Sequence, residues 1–180
     1  MRQPLWVLSA VLLVLLALPG LSEAGALSPE IYYAPEDLPG DRLASLYDRA
    51  QRYLYVSVYR LTYPPIVRAL VAAKKRGVDV RLVTDREGLN DPKVESALTT
   101  LHLAGVPIRI NRHDALMHLK QSVMDDEMNT SGSMNQTGSA NRYNDERLDV
   151  LRDHVTTVKA REKFLSMWKD EERFRAWKQE

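Results

Sequence analysis

The sequence predicts an α/β domain built on a mixed, mostly parallel central sheet flanked by helices. Three observations predict it. In the first half, β-branched and aromatic runs alternate with apolar residues at helical spacing, and the order strand, helix, strand, helix, strand calls for crossover connections. Gly77 and Gly105 fall just after two of the helical stretches, where a helix C-terminus takes a glycine. In the second half the strands follow at shorter spacing, which adds antiparallel pairs.

Ile31 to Ala34 reads as a short strand, and Leu43, Leu46, Tyr47 and Ala50 then recur at helical spacing up to Arg52. Leu54 to Tyr59 is a buried strand. A Tyr63-Pro64-Pro65 loop precedes a helix with Ile66, Leu70 and Ala73 on its inner face, and Val78 to Thr84 is the next strand. Asp91 caps a helix with Pro92 in its first turn and Val94, Leu98 and Leu101 as its apolar stripe. Strands are expected at Pro107 to Asn111, Met117 to Asp125, Met128 to Ser131 and Leu148 to Arg152. The tail from Thr156 onward reads as helical, with Val158, Phe164, Leu165 and Trp168 facing inward.

Residues 1–24 read as a secretory signal peptide. Arg2 supplies a positive start, Leu5 to Leu18 is almost wholly apolar, Pro19-Gly20 breaks it, and Ala24 or Ala26 offers a cleavage site. The apolar run falls short of the ~20 residues that span a bilayer, although an uncleaved N-terminal membrane anchor is the alternative. The expected location is secreted or periplasmic, and residues 25–180 form one domain. With no cysteine, disulfides, thiolate zinc sites and lipid-modified N-terminal cysteines are excluded. A net charge of +1 gives no global basic bias, so a polyanion would need a local groove. Lys74, Lys75, Arg76, Arg81, Arg109 and Arg112 are candidates, each of which could equally be a solvated surface charge.

Between His118 and Asp125 runs H-x-K-x4-D. Side chains alternate along a strand, so His118, Lys120 and Ser122 would share one face and Leu119, Gln121 and Val123 the other. A nucleophile and a cation then lie on one surface. Gly132-Ser133-Met134-Asn135 and Asn144-Asp145-Glu146 follow closely. This order of H-x-K-x4-D, G-S-x-N and N-x-E resembles the phospholipase D superfamily, whose members cleave phosphodiesters through a histidine nucleophile. Upstream, Tyr55 to Arg81 resembles the small single-motif branch typified by bacterial periplasmic endonucleases.

The resemblance implies hydrolysis of a phosphodiester through a phosphohistidine. His118 would attack phosphorus, and covalent catalysis would divide one hard displacement into two easier ones. Lys120 would hold a non-bridging oxygen. Ser133 and Asn135, two apart and on one face if extended, would donate to phosphate oxygens, and Gly132 would permit close backbone approach. Glu146 would accept from the far imidazole nitrogen and fix the tautomer. Asp125, at a strand end, has a turn or hydrogen-bonding role as plausible as substrate contact, and Asn144 is either a supporting group or a plain loop residue.

His102 and His154 read as surface or core-edge residues, and His113 could line the cleft mouth but fits a loop better. No histidine–carboxylate set has metal-ligand spacing, so neither metal nor cofactor is called for. One motif supplies one histidine, whereas the reaction needs a nucleophile and an acid. A homodimer with a shared active site would provide both. The substrate is nucleic acid or phospholipid: an endonuclease acting on DNA or RNA, or a phospholipase D. A binding module without activity is a third possibility, which the complete motif opposes. In one place the sequence departs from the family. Residues 126–131 are largely polar, and Asn129 stands where a buried apolar side chain is expected, which threatens an unpaired amide.

Overall fold

The computed structural model describes residues 28–178, so the expected signal peptide lies outside the described residues. Eight strands form one sheet: β1 (Glu30–Ala34), β2 (Tyr53–Val58), β3 (Asp79–Thr84), β4 (Ile108–Asn111), β5 (Lys120–Met124), β6 (Met128–Gly132), β7 (Glu146–Leu151) and β8 (Phe174–Ala176). Between them run α1 (Pro39–Tyr47), α2 (Pro64–Lys75), α3 (Pro92–Leu103), α4 (Gly138–Arg142) and α5 (His154–Lys169), with a 3₁₀ turn over Arg86–Asn90. The spatial order is β1-β7-β6-β5-β2-β3-β4-β8.

The α/β class and the mixed, helix-flanked sheet are as expected, but the balance of strand directions is not. Only β2–β3 and β3–β4 are parallel, and the other five neighbouring pairs are antiparallel. Parallel pairing needs a long crossover, and only α2 and α3 provide one here. From β5 onward the chain turns back on itself, beginning with a tight turn in which Asp125 and Asp126 both take positive φ.

β2 is buried along its whole length, so it reads as a continuous apolar run and its residues divide between two layers. Leu54, Val56 and Val58 pack with Leu43, Ile66, Leu70 and Leu98 from the first three helices. Tyr53 and Tyr55 face α5, where the rings of Tyr53, Tyr55, Phe164 and Trp168 stack in sequence at centroid spacings of 4.6, 4.7 and 5.6 Å. Helix boundaries follow the local chemistry. Asp91 accepts from the Lys93 amide at 2.9 Å, and Gly77 takes φ +91 as α2 ends.

Two features of the C-terminal region differ from expectation. The tail is not helical throughout: α5 ends at Lys169, Asp170 takes up the Arg173 amide, and Phe174 begins a strand against β4. The buried stripe of α5 is Thr157, Ala160, Phe164 and Met167, while Val158, Leu165 and Trp168 lie half-buried at its flanks. Asn129, feared to be unpaired, is buried and donates to the hydroxyls of Thr156 and Thr157, each at 3.1 Å. α5 therefore supplies partners for the polar side chain that β6 buries.

Candidate active site

The register brings the motif residues to one end of the sheet. Reading across it, Ala34 pairs with Glu146, Gly132 with Leu148, Lys120 with Val58, Val58 with Thr84, and Thr84 with Ile110. The carboxyl ends of the parallel strands thus meet the start of β5, the end of β6 and the start of β7. Open α/β sheets characteristically bind ligands at that end.

His118 itself is not on a strand. β5 begins at Lys120, and His118 lies exposed on the segment that runs from β4 across the ends of β3 and β2. The Met117 amide donates to Asp85 Oδ2 at 2.6 Å instead of to a neighbouring strand. Asp85 Oδ1 takes the Glu87 amide at 2.9 Å, and Asn111 spans from the Arg86 amide, at 2.7 Å, to the Ala115 carbonyl, at 2.9 Å. Asp85 and Asn111 are buried, so two polar side chains below the surface fix the backbone that presents the imidazole. The His118 ring lies 5.0 Å from the ring of Tyr59, whose hydroxyl donates to Glu87 at 2.9 Å.

From β5 onward the expected alternation of faces is present. Leu119 and Val123 pack towards α5, whereas Ser122 is buried on the other face, 2.5 Å from the Tyr47 hydroxyl. Gln136 donates to the same hydroxyl at 2.7 Å. Burial pushes the Tyr47 phenol up, so it stays neutral. Half-buried Lys120 donates to the His118 carbonyl at 2.9 Å, and its ammonium sits 5.2 Å from the centre of the Tyr59 ring. Burial lowers the Lys120 pKa, opposed by the negative charge of Glu146.

Ser133 Oγ donates to Glu146 Oε2 at 2.5 Å, and Asn144 Nδ2 donates to Oε1 at 3.2 Å. The hydrogen bond expected from the His118 imidazole to Glu146 is not formed among the described residues. β6 separates β7 from β5, and among the described residues the Glu146 carboxylate accepts from Ser133 and Asn144 instead. Ser133 and Asn135 line different recesses, as the chain bends after Gly132. Ser133 lines a recess with Tyr33 and Arg147, while Asn135 lines a cleft with Arg60 and Tyr143, its buried Oδ1 unpartnered among the described residues. At φ +144, Gly132 would bring a Cβ to 2.0 Å from the Arg147 carbonyl oxygen. Its role visible here is close approach to β7.

Asp125 stands away from this end of the sheet. Its carboxylate accepts from the Gln51, Arg52 and Tyr53 amides at 2.8, 2.8 and 2.9 Å, tying the β5–β6 turn to the start of β2. The candidate basic groove is also dispersed. Lys74, Lys75 and Arg76 sit at the far end of α2, Arg81 and Arg109 pack over Trp168 at 5.4 Å each, and Arg112 is exposed just after β4. His102 and His154 are exposed, and His113 meets Phe174 edge-on at 5.6 Å.

A family model described as "Cardiolipin synthase, PLD-like domain" matches residues 43–168. The chain belongs to this phospholipase D-like family. Its fold is similar to Nuc of Salmonella typhimurium, a phospholipase D family member, with a TM-score of 0.77 and 28% identity over 84% of this chain and 99% of that one. Its sequence is 32% identical to the mitochondrial cardiolipin hydrolase of Xenopus tropicalis over 72% of this chain and 60% of the relative. It is 29% identical to the phospholipase D of Rickettsia felis over 70% of this chain and 60% of the relative. The chain thus spans about 60% of the length of these curated relatives.

In this phospholipase D-like domain, sequence reasoning missed Tyr59, Asp85, Asn111 and Gln136. Tyr59 and Asp85 each stand at the end of an apolar strand, a position that could have drawn attention to them. Asn111 and Gln136 carry no such local signal.

Proposed function

We propose that this chain is a phosphodiesterase that acts on nucleic acid through a phosphohistidine at His118. The observation that carries the reading is the exposed imidazole set beside the Lys120 ammonium at the open end of the sheet, with both groups against Tyr59. The Salmonella protein whose whole length this chain matches adds support for the small single-motif branch.

A neutral imidazole escapes the repulsion that an anionic nucleophile meets at a phosphodiester. A His118 ring nitrogen forms a bond to phosphorus as the bond to the departing oxygen breaks, and an acid protonates that oxygen. Water then attacks phosphorus, gives up a proton to the same acid–base group, and releases His118. Lys120 binds a non-bridging oxygen throughout, Asn135 contributes an amide donor from its own cleft, and Ser133 donates on exchanging its hydrogen bond from Glu146 to the phosphate. Glu146 orients Ser133 and Asn144 and faces the positive charge of Lys120. The acid is His118 of a second copy in a twofold homodimer, and the reaction needs no metal. The protein works as a secreted or periplasmic enzyme once the apolar N-terminal segment is removed.

One observation favours phospholipid instead. Tyr33 is 50% exposed and Ile31 42% exposed, and Tyr33 lines a recess of about 580 Å³ beside Ser133 and Glu146. An acyl chain would find apolar surface there. Offering the protein plasmid DNA and phosphatidylcholine vesicles, each with and without chelator, separates the readings. Nicked DNA in the presence of chelator is expected. Release of phosphatidic acid with intact DNA would reverse the substrate assignment, and activity restored only by a divalent ion would overturn metal independence. Full activity from a species that sediments as a monomer during turnover would overturn the shared site.

A further inference from the structure

Three recesses open around the motif, and their charges differ. Glu36, Asp37 and Asp145 line the one beside Ser133 and Glu146. The cleft beside Asn135 and Asn144 mixes Arg60 and Lys93 with Asp91. The third lies between the His118 segment, α5 and β8. His118 shares it with His113, Leu116, Lys163, Arg173 and Phe174, and no carboxylate lines it.

We propose that this third recess is a polynucleotide subsite, in which Lys163 and Arg173 hold a phosphate next to the one that His118 attacks. The proposal rests on the phosphodiesterase reading above and deepens it. Both cations are exposed, and neither pairs with a carboxylate among the described residues. Around them Arg86 faces Asp114, Arg109 faces Glu171 and Arg161 faces Asp126. Arg112, Lys159 and Arg175 are, like Lys163 and Arg173, without a carboxylate partner among the described residues, which leaves this side of the sheet with an excess of free positive charge. Unpaired cations beside an exposed nucleophile have counterions to release to a polyanion.

The backbone that carries both cations is anchored by its neighbours. Lys163 precedes Phe164, which is fully buried under the sheet. Arg173 precedes Phe174, which pairs with Asn111, and the Arg173 carbonyl accepts from the Arg112 amide at 2.8 Å. Asn111 also fixes the His118 segment through its side chain, so one residue ties the two regions together, by its side chain on the nucleophile's side and by its backbone on the subsite's. Leu116, 45% exposed at the rim, offers an apolar surface to the sugar or base between the two phosphates. The recess has a volume of about 110 Å³, well below the ~300–1,000 Å³ that encloses a whole ligand. It suits one phosphate group and not an acyl chain.

The test compares wild type with Lys163→Glu/Arg173→Glu and Lys163→Gln/Arg173→Gln on two substrates. One is a mixed-sequence single-stranded oligonucleotide; the other is bis(4-nitrophenyl) phosphate, a diester with no flanking phosphate. On the oligonucleotide, KM should rise about tenfold or more in the Glu pair and less in the Gln pair. The slope of log KM against log salt should shrink by ~0.7 in the Gln pair, the value for one lost phosphate contact to a single strand. On the small diester, kcat/KM should change less than about twofold. Unchanged KM and slope on the oligonucleotide, or equal losses on both substrates, would overturn the subsite. Wild type that cleaves the diester but not the oligonucleotide would overturn it by removing the polynucleotide itself, and wild type that cleaves neither would remove the phosphodiesterase reading.

Discussion

The two halves of the sheet are built for different tasks. The β2–β3–β4 half is parallel, crossed by α2 and α3, and filled with side chains such as Leu54, Leu82 and Ile108. The β5–β6–β7 half is antiparallel, and its polar residues stand at one end of it: Lys120 opens β5, Ser133 follows β6, and Glu146 opens β7. The first half resists deformation because its strands are buried on both faces. The second can present charged groups because its ends face solvent. Stability and chemistry therefore occupy neighbouring strands, and substitutions should separate them.

After His118 itself, the largest effect is expected at Lys120. Lys120→Met should lower kcat by about 10²–10³-fold without a loss in melting temperature, since one electrostatic contact to a charged transition state is removed. Because burial lowers the Lys120 pKa, its positive charge is lost at lower pH than that of an ordinary lysine. The alkaline limb of the wild-type kcat profile should therefore fall below the usual lysine range, and Lys120→Arg should move it upward. An effect on melting temperature as large as that on rate would break the division between the halves.

Comparable in energy is Leu82→Ala in β3, a change that leaves a cavity in the core that Leu82 shares with Leu70 and Leu98. It should cost ~2–5 kcal/mol in chemical denaturation, with kcat per folded molecule retained. A smaller effect is expected of Asp85→Asn, which probes the seam where the first half holds the segment that carries His118, the proposed nucleophile. One of the two amides at Asp85 would face an NH₂ in place of an oxygen. Expected are a loss of ~1–3 kcal/mol in stability and a fall in kcat with KM nearly unchanged. A rise in KM alone would place Asp85 outside the positioning of His118.

Much of this was legible because it is local. Apolar spacing located α2 and α3, Asp91-Pro92 marked a helix start, and the H-x-K spacing set His118 and Lys120 close together, both against Tyr59. Features that depend on distant partners were not. β8 has no strand pattern of its own and forms because β4 offers an open edge. The His118 segment looked like a strand, yet its Met117 amide finds Asp85 more than thirty residues earlier in the chain. Glu146 looked like a partner for His118 in sequence, and the strand order set β6 between them.

The smallest expected effect is at Glu30 on the edge strand β1. Hydrogen bonds from Tyr32 and Arg42, helped by Arg152, hold its carboxyl at about 2 against an ordinary 4.5, outweighing desolvation. A lowered carboxylate pKa contributes stability above the unfolded value and loses it as pH falls through the folded one. Glu30→Gln should therefore lower the melting temperature slightly and evenly from pH 5 to pH 8. The gap from wild type should close as pH falls from about 4.5 to about 2.

The most direct test of the central claim is to trap the covalent intermediate. Wild-type protein would be mixed rapidly with an oligonucleotide, quenched under alkaline conditions that preserve phosphohistidine, and the modified peptide mapped by mass spectrometry alongside His118→Ala. The account predicts a nucleotidyl adduct on His118 in wild type, none in the variant, and a fall in kcat of more than about 10³-fold. An adduct on another residue, or a His118→Ala protein that turns over at the wild-type rate, would contradict it.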